Sequence, residues 1–318
     1  MTALITGGAG CIGSELVGEL LRQGTNCIVY DNFSSGKREH LEPLAHDQRL
    51  QVVEGDVLDL ELLTSTMQGV DFVWHFAANP DVRYKDGDPT DRDLRQNTIG
   101  TYHVLESMRL NGVKDLAYAS TSAVYGICKS LPIPENHPLV PISLYGASKA
   151  ACETLIASFG NMFGVRGRVF RLANIVGAKT RKNGTTVITD FVRKLRENPR
   201  KLEILGNGRQ TKSYLLVSDC VEAMIFAIHR TCGVFDVYNL GPSDAISVNC
   251  IADIVVREMN LGQVEYGYTG TEGGWLGDVP AFELDVSALK RLGWEARCRS
   301  EEAVTTAVRE MLPNGLNQ

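Results

Sequence analysis

The chain has 318 residues, 44% hydrophobic and 22% charged, with a formal net charge of −6 at pH 7. That is a globular balance, long enough for two domains or for one large sheet domain with an added lobe. The acidic excess excludes nucleic-acid binding, which needs a basic face, and the longest wholly apolar run, residues 223–228, falls far short of the ~18 residues of a membrane span.

The opening MTALITGGAG lacks the basic start and apolar run of an export signal, and the eight cysteines are scattered without a CxxC pair. We therefore expect a cytoplasmic protein with reduced thiols, no metal site and no disulfide framework. In chain order, short apolar β-branched runs alternate with amphipathic stretches: a strand at 3–6, a helix from Ile12, strands at 26–30 and 50–54, and a helix near Leu60. A strand at 71–76, a long helix through 97–109 and a strand at 115–120 follow. That order predicts a parallel βαβ sheet. Strands such as CIVY (27–30) and VWHF (73–76) are continuously apolar, as strands covered by helices on both faces must be. A helix through 145–159 leads to a buried strand at 166–172, and the periodicity then loosens into the Gly/Lys/Arg-rich stretch 177–184. The predicted fold class is α/β, a doubly wound parallel sheet over 1–176, with 213–240 returning to it through SYLLV (213–217), a helix at 218–230 and VYNL (237–240). A smaller, discontinuous C-terminal α/β lobe comprises 177–212 and 241–318, with a helix at 189–197, a strand at 202–205 and two late helices.

The first turn carries the strongest local signal. Residues 6–13 read TGGAGCIG, which satisfies G-x-G-x-x-G through Gly8, Gly10 and Gly13 and G-x-x-G-x-x-G through Gly7, Gly10 and Gly13. A glycine at the turn takes φ > 0, the middle one admits a pyrophosphate to the backbone, and the last lets the helix sit close to the strand. The helix N-terminus then offers N–H groups and partial positive charge to phosphates. Eighteen residues past Gly13, at the end of the next strand, stands Asp31. A carboxylate there accepts from ribose hydroxyls and repels a 2′-phosphate, which favours NAD over NADP; Lys37 and Arg38 are the nearest cations able to cradle that phosphate instead. Asp56, closing the third strand, is read either as an acceptor for the adenine amino group or as a helix N-cap.

Tyr145 and Lys149 in YGASK stand at i and i+4 at the start of a predicted helix, so phenol and ammonium share a face. A neighbouring cation favours phenolate and makes the tyrosine a usable base. Ser120, Thr121 and Ser122 end a strand of the same sheet, where a parallel sheet presents its ligand crevice; taken alone, such a hydroxyl cluster is better explained by helix or turn capping than by catalysis.

In combination these segments resemble the extended short-chain dehydrogenase/reductases, specifically the NAD-dependent nucleotide-sugar epimerases and dehydratases. The resemblance spans nearly the whole chain: TGGAGCIG, DNFSSG (31–36), GDVLD (55–59), HFAA (75–78), Asn97-x-x-Gly100-Thr101, STSAVYG (120–126), YGASK, RLANIVG (171–177) and GNGRQTKSYLLVSD (206–219) follow in order. It implies a Rossmann fold and an NAD site formed by Gly7, Gly10, Cys11, Ile12, Gly13, Asp31, Asn32, Ser34, Ser35, Gly36, Asp56, Val57, Phe76, Ala77, Ala78, Asn97, Ala119, Tyr145, Lys149 and Leu172. It implies catalysis by Thr121, with Ser122 as second choice, Tyr145 and Lys149, and a substrate site of Thr121, Ser122, Asn174, Lys212 and Trp275, with Asn174 reaching a diphosphate. It further implies a homodimer through helices at 97–108 and 147–159, whose Thr101, Val104, Leu105, Met108, Ala147, Ala151, Thr154 and Leu155 form wide small or apolar faces; a sheet-covering role accounts for the same faces.

Two departures shape the expected reaction. Dehydratases of this family carry an Asp-Glu pair directly after the catalytic Thr, and its decarboxylases usually show a Glu; here the places hold Ser122 and Ala123. Elimination then lacks its proton carriers, which favours epimerisation. Arginines that grip the diphosphate in many members correspond to Lys212, a point charge, and Trp275, which carries none; Arg181, Lys182 and Arg209 are the candidates to compensate. We expect C4 epimerisation of a nucleotide sugar, of the UDP-glucose/UDP-galactose type, through a 4-keto sugar. The alternatives are 2-epimerisation, 4,6-dehydration or keto reduction of a nucleotide sugar, or a non-catalytic NAD-binding sensor.

Overall fold

Strand β1 (Thr2–Thr6) enters the glycine turn, and α1 (Cys11–Arg22), β2 (Asn26–Asp31), β3 (Leu50–Glu54), α2 (Leu60–Thr66), β4 (Phe72–His75), α3 (Gly100–Asn111), β5 (Asp115–Thr121), α4 (Leu144–Phe163) and β6 (Arg166–Leu172) follow. After them come β7 (Asn174–Val176), α5 (Val187–Glu197), β8 (Lys201–Ile204), β9 (Thr211–Lys212), β10 (Tyr214–Leu216), α6 (Val217–Ile228), β11 (Phe235–Leu240) and β12 (Ile246–Ser247). The last elements are α7 (Val248–Glu258), β13 (Glu265–Tyr268), α8 (Ser287–Leu292) and α9 (Ser300–Met311). This computed structural model describes residues 1–84, 87–179, 186–270 and 279–312.

The main sheet has seven strands in the order β11-β6-β5-β4-β1-β2-β3, with β1 to β6 parallel throughout. The order reverses between β1 and β4, the switch point at which a doubly wound sheet opens a crevice beyond its strand ends. This is the expected doubly wound Rossmann sheet. On one face of the sheet the core joins Leu4, Val73, Leu116 and Val169 of the strands to Val104, Leu105, Met108 and Ile156 of α3 and α4, all at 0% exposure. Full burial of each such side chain is worth about 1.5–3 kcal/mol relative to exposure. Local chemistry sets the helix starts. Ser143 accepts from Gly146 N at 3.1 Å to cap α4, and Asp59 accepts from Leu62 N at 3.0 Å to cap α2.

The chain divides into two compact units: 1–126, 138–172 and 221–238 form the first, and 127–137, 173–220 and 239 onward form the second. The second unit has its own core, in which Ile188, Phe191 and Leu195 of α5, Ile251 and Val255 of α7 and Val304 and Val308 of α9 are buried. Its strands pair two by two: β10 with β7, β12 with β9 and β13 with β8.

Several expectations are corrected here. SYLLV does not rejoin the main sheet; residues 214–216 pair with β7 in the second unit, and 221–238 is what returns to the first. An apolar strand pattern announces burial without naming the partner strand. Residues 127–137 also belong to the second unit, where Ile133 bridges Leu284. Three helices, not two, follow β11 among the described residues. On α3, Thr101, Val104, Leu105 and Met108 face the core at 0–1% exposure, so the outward apolar residues are Tyr102 and Leu110 instead. Among the described residues no helix is long and apolar enough to cross a membrane.

Candidate active site

The glycine turn owes its shape to two close approaches. Gly7 has φ +70°, and a Cβ there would stand 2.6 Å from Ala77 N; a Cβ on Gly13 would stand 2.3 Å from Gly7 O. Only glycine fits either position. Gly10 precedes Cys11 and Ile12 at the start of α1, and no side chain caps that helix. The first-turn amides thus form the kind of anion site a pyrophosphate uses. Phe76, Ala77 and Ala78 extend β4 beside the turn, with Phe76 N donating to Thr6 O at 3.0 Å and Ala77 N to Thr6 Oγ1 at 3.3 Å.

Asp31 lies at the C-terminal end of β2, 7% exposed. Its Oδ2 accepts from Ala9 N at 2.9 Å and its Oδ1 from Phe33 N at 2.8 Å, so the carboxylate clasps the glycine turn to the β2 end. Asn32 donates to Asp56 Oδ2 at 2.8 Å and accepts from Ser34 N and Oγ, and Asp56 Oδ1 accepts from Leu58 N at 2.9 Å. Asp59, not Asp56, is the cap of α2, so the capping reading of Asp56 falls away. Ser35 and Gly36 complete the loop, with Gly36 buried against Ala9, and Val57 is 5% exposed. Arg38 is committed elsewhere, paired with Glu54 and stacked 4.0 Å from the Phe33 ring centroid.

At the other end of the crevice β5 delivers Thr121 and α4 delivers Tyr145 and Lys149. The Tyr145 phenol is hydrogen-bonded to the Thr121 side chain. Thr121 Oγ1 also accepts from Ala123 N at 3.2 Å, which caps the short turn holding Ser122. Capping and contact with the phenol are therefore combined in one residue. Lys149, 3% exposed, donates to Ala119 O at 2.9 Å and lies 6.0 Å from the Tyr145 ring centroid. Burial pulls the Lys149 ammonium down to about 8. Burial, with the Asp93 carboxylate second, pushes the Tyr145 phenol up to about 12 against the lowering effect of the Thr121 hydrogen bond. The phenol therefore stands above its ordinary value rather than below it as expected, because among the protein groups alone burial outweighs what lowers it.

Asn97 sits 1% exposed in a π-helical turn, Leu94–Ile99, ahead of α3. It donates to Ser148 Oγ at 2.8 Å and accepts from Asn79 N at 2.8 Å, while Asn79 donates to the buried Asp93 at 2.7 Å. Such π turns recur at functional sites. Ala119 and Leu172 line the ends of β5 and β6 at 8% and 7% exposure. In the second unit, Asn174 N and Nδ2 both donate to Ser213 O, at 3.2 and 3.4 Å, which sets Asn174 beside the chain that carries Lys212. Trp275, Arg181 and Lys182 lie outside the described residues. Sequence reasoning missed Asp93, Ser148 and the buried Glu153–Arg171 pair; only the i, i+4 spacing of Lys149 and Glu153 hinted at them.

The donor set fits a dinucleotide: a side-chain-free cradle, an uncapped helix start, and a carboxylate at the end of β2. Residues 3–241 match the sequence model described as the NAD dependent epimerase/dehydratase family. The chain is 31% identical over 316 residues to a putative UDP-glucose 4-epimerase of Methanocaldococcus jannaschii, covering 98% of both. Among solved structures it is similar to a UDP-galactose 4-epimerase (38% identity, 98% of both chains, TM-score 0.87). It is also similar to the Thermotoga maritima UDP-glucose 4-epimerase with UDP-glucose (30% identity, 98% of both chains, TM-score 0.88). A dTDP-glucose 4,6-dehydratase from Streptomyces venezuelae, with NAD bound, is 26% identical over 99% of this chain and 98% of its own, with a TM-score of 0.88.

Proposed function

The chain belongs to the NAD-dependent epimerase/dehydratase family, and on that premise we propose that it interconverts the C4 epimers of a nucleotide sugar, of the UDP-glucose/UDP-galactose type, through a 4-keto sugar. The observation that carries this reading is the hydrogen-bonded Thr121–Tyr145 pair at Lys149, with only Ser122 and Ala123 following Thr121. Tyr145 takes the O4 proton, and Thr121 holds O4 by a hydrogen bond and keeps the phenol in place. Lys149 is proposed to supply the positive charge that offsets the phenolate and, with its remaining donors, to hold a ribose. NAD, the family's cofactor, supplies the hydride acceptor and donor when bound; Gly7, Gly10, Gly13, Asp31 and Asn97 are the residues proposed to hold it. Asn174 and Lys212 are proposed for the diphosphate.

Dehydration needs an acid and a base for water loss. Ser122 and Ala123 provide neither, which sets this chain apart from the dehydratase reading. We further propose a homodimer through α3 and α4, whose Tyr102, Leu110 and Met162 stand 41%, 55% and 71% exposed. The test is to incubate the purified protein, without added cofactor, with UDP-, GDP-, CDP- and dTDP-sugars and identify products by chromatography and NMR. A 4-epimer of one UDP-sugar supports the proposal; a 4-keto-6-deoxy product, or turnover only with added NADPH, refutes it.

A further inference from the structure

One turn beyond Lys149, α4 carries Glu153, 3% exposed, which meets Arg171 of β6 in a forked contact. Nη2 reaches Oε2 at 2.7 Å, and Nε reaches Oε1 and Oε2 at 3.1 and 3.2 Å. Nη1 of Arg171 donates to the Tyr125 hydroxyl at 2.9 Å, and Ser120 donates its hydroxyl to Glu153 Oε1. Ser120 and Arg171 stand opposite one another in the β5–β6 register. One buried ionic cluster therefore joins the residue before Thr121, the turn after it, and the helix that carries Tyr145 and Lys149.

Stability alone does not explain such a cluster. Desolvating two charges costs about what their attraction returns, and apolar replacements are often as stable. Its placement does explain it. A bare carboxylate one turn from Lys149 would draw the ammonium away, whereas in the observed pairing Lys149 donates to Ala119 O instead. Of the other groups facing the couple, Asp93 accepts from Asn79 and Asn97, His75 is held by Thr6 and Thr101, and Cys152 donates to Asn97 O at 3.3 Å. Tyr118, whose ring centroid lies 4.8 Å from Lys149 Nζ, keeps a buried hydroxyl without a hydrogen-bond partner among the described residues and carries no charge to compete for the ammonium.

Building on the epimerase reading, we propose that Arg171 and Glu153 are positioning residues for the Tyr145–Lys149 couple. Arg171 occupies the Glu153 carboxylate so that it does not capture Lys149, and Glu153, through Ser120, fixes the strand end from which Thr121 meets the phenol.

The test compares Arg171→Met, Glu153→Gln and the double variant, each with and without Tyr145→Phe, in NAD-loaded protein. kcat and KM come from conversion of the epimerised sugar. The state of the phenol comes from the Tyr145 Cζ resonance of tyrosine-labelled protein, assigned by its loss in Tyr145→Phe and followed from neutral pH upward until the phenol ionises. Arg171→Met is expected to lower kcat roughly ten- to a hundredfold, as coupled neighbours do, with KM and retained NAD nearly unchanged, and to delay the phenol's movement toward phenolate to higher pH. Glu153→Gln, which leaves the guanidinium unbalanced, should advance that movement. The double variant, neutral again, should return the resonance to wild-type behaviour and regain most of the kcat lost by Arg171→Met, which a merely structural role would not do. A resonance unmoved in both single variants, or a double variant no more active than Arg171→Met, overturns the proposal. Should Arg171→Met fail to fold, the advance in Glu153→Gln and its reversal in the double variant decide. If the wild type turns over no nucleotide sugar, the epimerase reading fails by itself, and the resonance still settles the positioning role.

Discussion

Asp31→Ala removes a carboxylate that holds two backbone amides, Ala9 N at 2.9 Å and Phe33 N at 2.8 Å. Ala9 is wholly buried, so its amide loses its acceptor with no access to water, whereas the Phe33 amide lies nearer the surface. A hydrogen bond to a charged group is worth about 1.5–3 kcal/mol net, and a stranded buried donor costs a similar amount. We therefore expect a loss of about 2–4 kcal/mol, or roughly 3–6 °C in Tm for 318 residues unfolding with about 2.1 cal/mol/K of entropy each. Asp31→Asn keeps one acceptor oxygen and should lose about half as much.

Both substitutions abolish the charge, so both should weaken NAD retention and narrow the gap to NADP by at least about tenfold, since like charges at contact repel by up to ~4 kcal/mol near a protein surface. The assay is Tm by calorimetry, the dinucleotide released on denaturation, and the Kd of NAD and NADP for stripped protein. Isolation of the native protein with NADP would refute the reasoning. So would an Asp31→Ala variant that loses Tm yet keeps its NAD preference, for then Asp31 is only a clasp. Lys37 would then be the residue to test, because Arg38 is held at Glu54 and Phe33.

Tyr145→Phe should lower kcat by about 10²–10⁴-fold with Tm nearly unchanged, because Thr121 keeps its bond from Ala123 N; rates within tenfold of wild type would remove Tyr145 from the mechanism. Lys149→Met should cost a similar factor, and its residual rate should climb with pH as the unaided phenol ionises; a flat profile would contradict the electrostatic role. His75 is buried between Thr6 and Thr101, and burial pulls it down to about 3. The unfolded imidazole, near 6.5, takes up a proton that the folded one refuses, so its contribution is intact above pH 6.5 and lost as pH falls toward 3, at up to ~1.4 kcal/mol per pH unit. His75→Asn should flatten the acid slope of the urea midpoint, and an unchanged slope would place the effect elsewhere. Sedimentation at micromolar concentration should show a dimer that Tyr102→Glu dissociates; a wild-type monomer would reject the α3–α4 interface.

What the sequence alone determined is what local chemistry and periodicity carry. The alternation of apolar runs and amphipathic helices fixed a parallel doubly wound sheet, because a strand buried on both faces must be apolar throughout. The glycine spacing marked the turn, because a Cβ at Gly7 or Gly13 has nowhere to go. The i, i+4 spacing placed Tyr145 and Lys149 on one helical face. Tertiary structure decided whatever depends on which segments meet. Residues 214–216 pair with β7 and not with the main sheet, since an apolar strand states its burial and not its neighbour. On α3 the helical period predicted one apolar face, and packing alone showed that Val104, Leu105 and Met108 spend it on the core. The sequence offered Asp56 as a cap for α2, and only the chain's path showed that the cap is Asp59. Local charge predicted a lowered Tyr145 phenol, but desolvation is a property of everything folded around a group, and it raised the phenol instead. Glu153 and Arg171 lie 18 positions apart in sequence, and the β5–β6 register and the lie of α4 over those strands make them a pair.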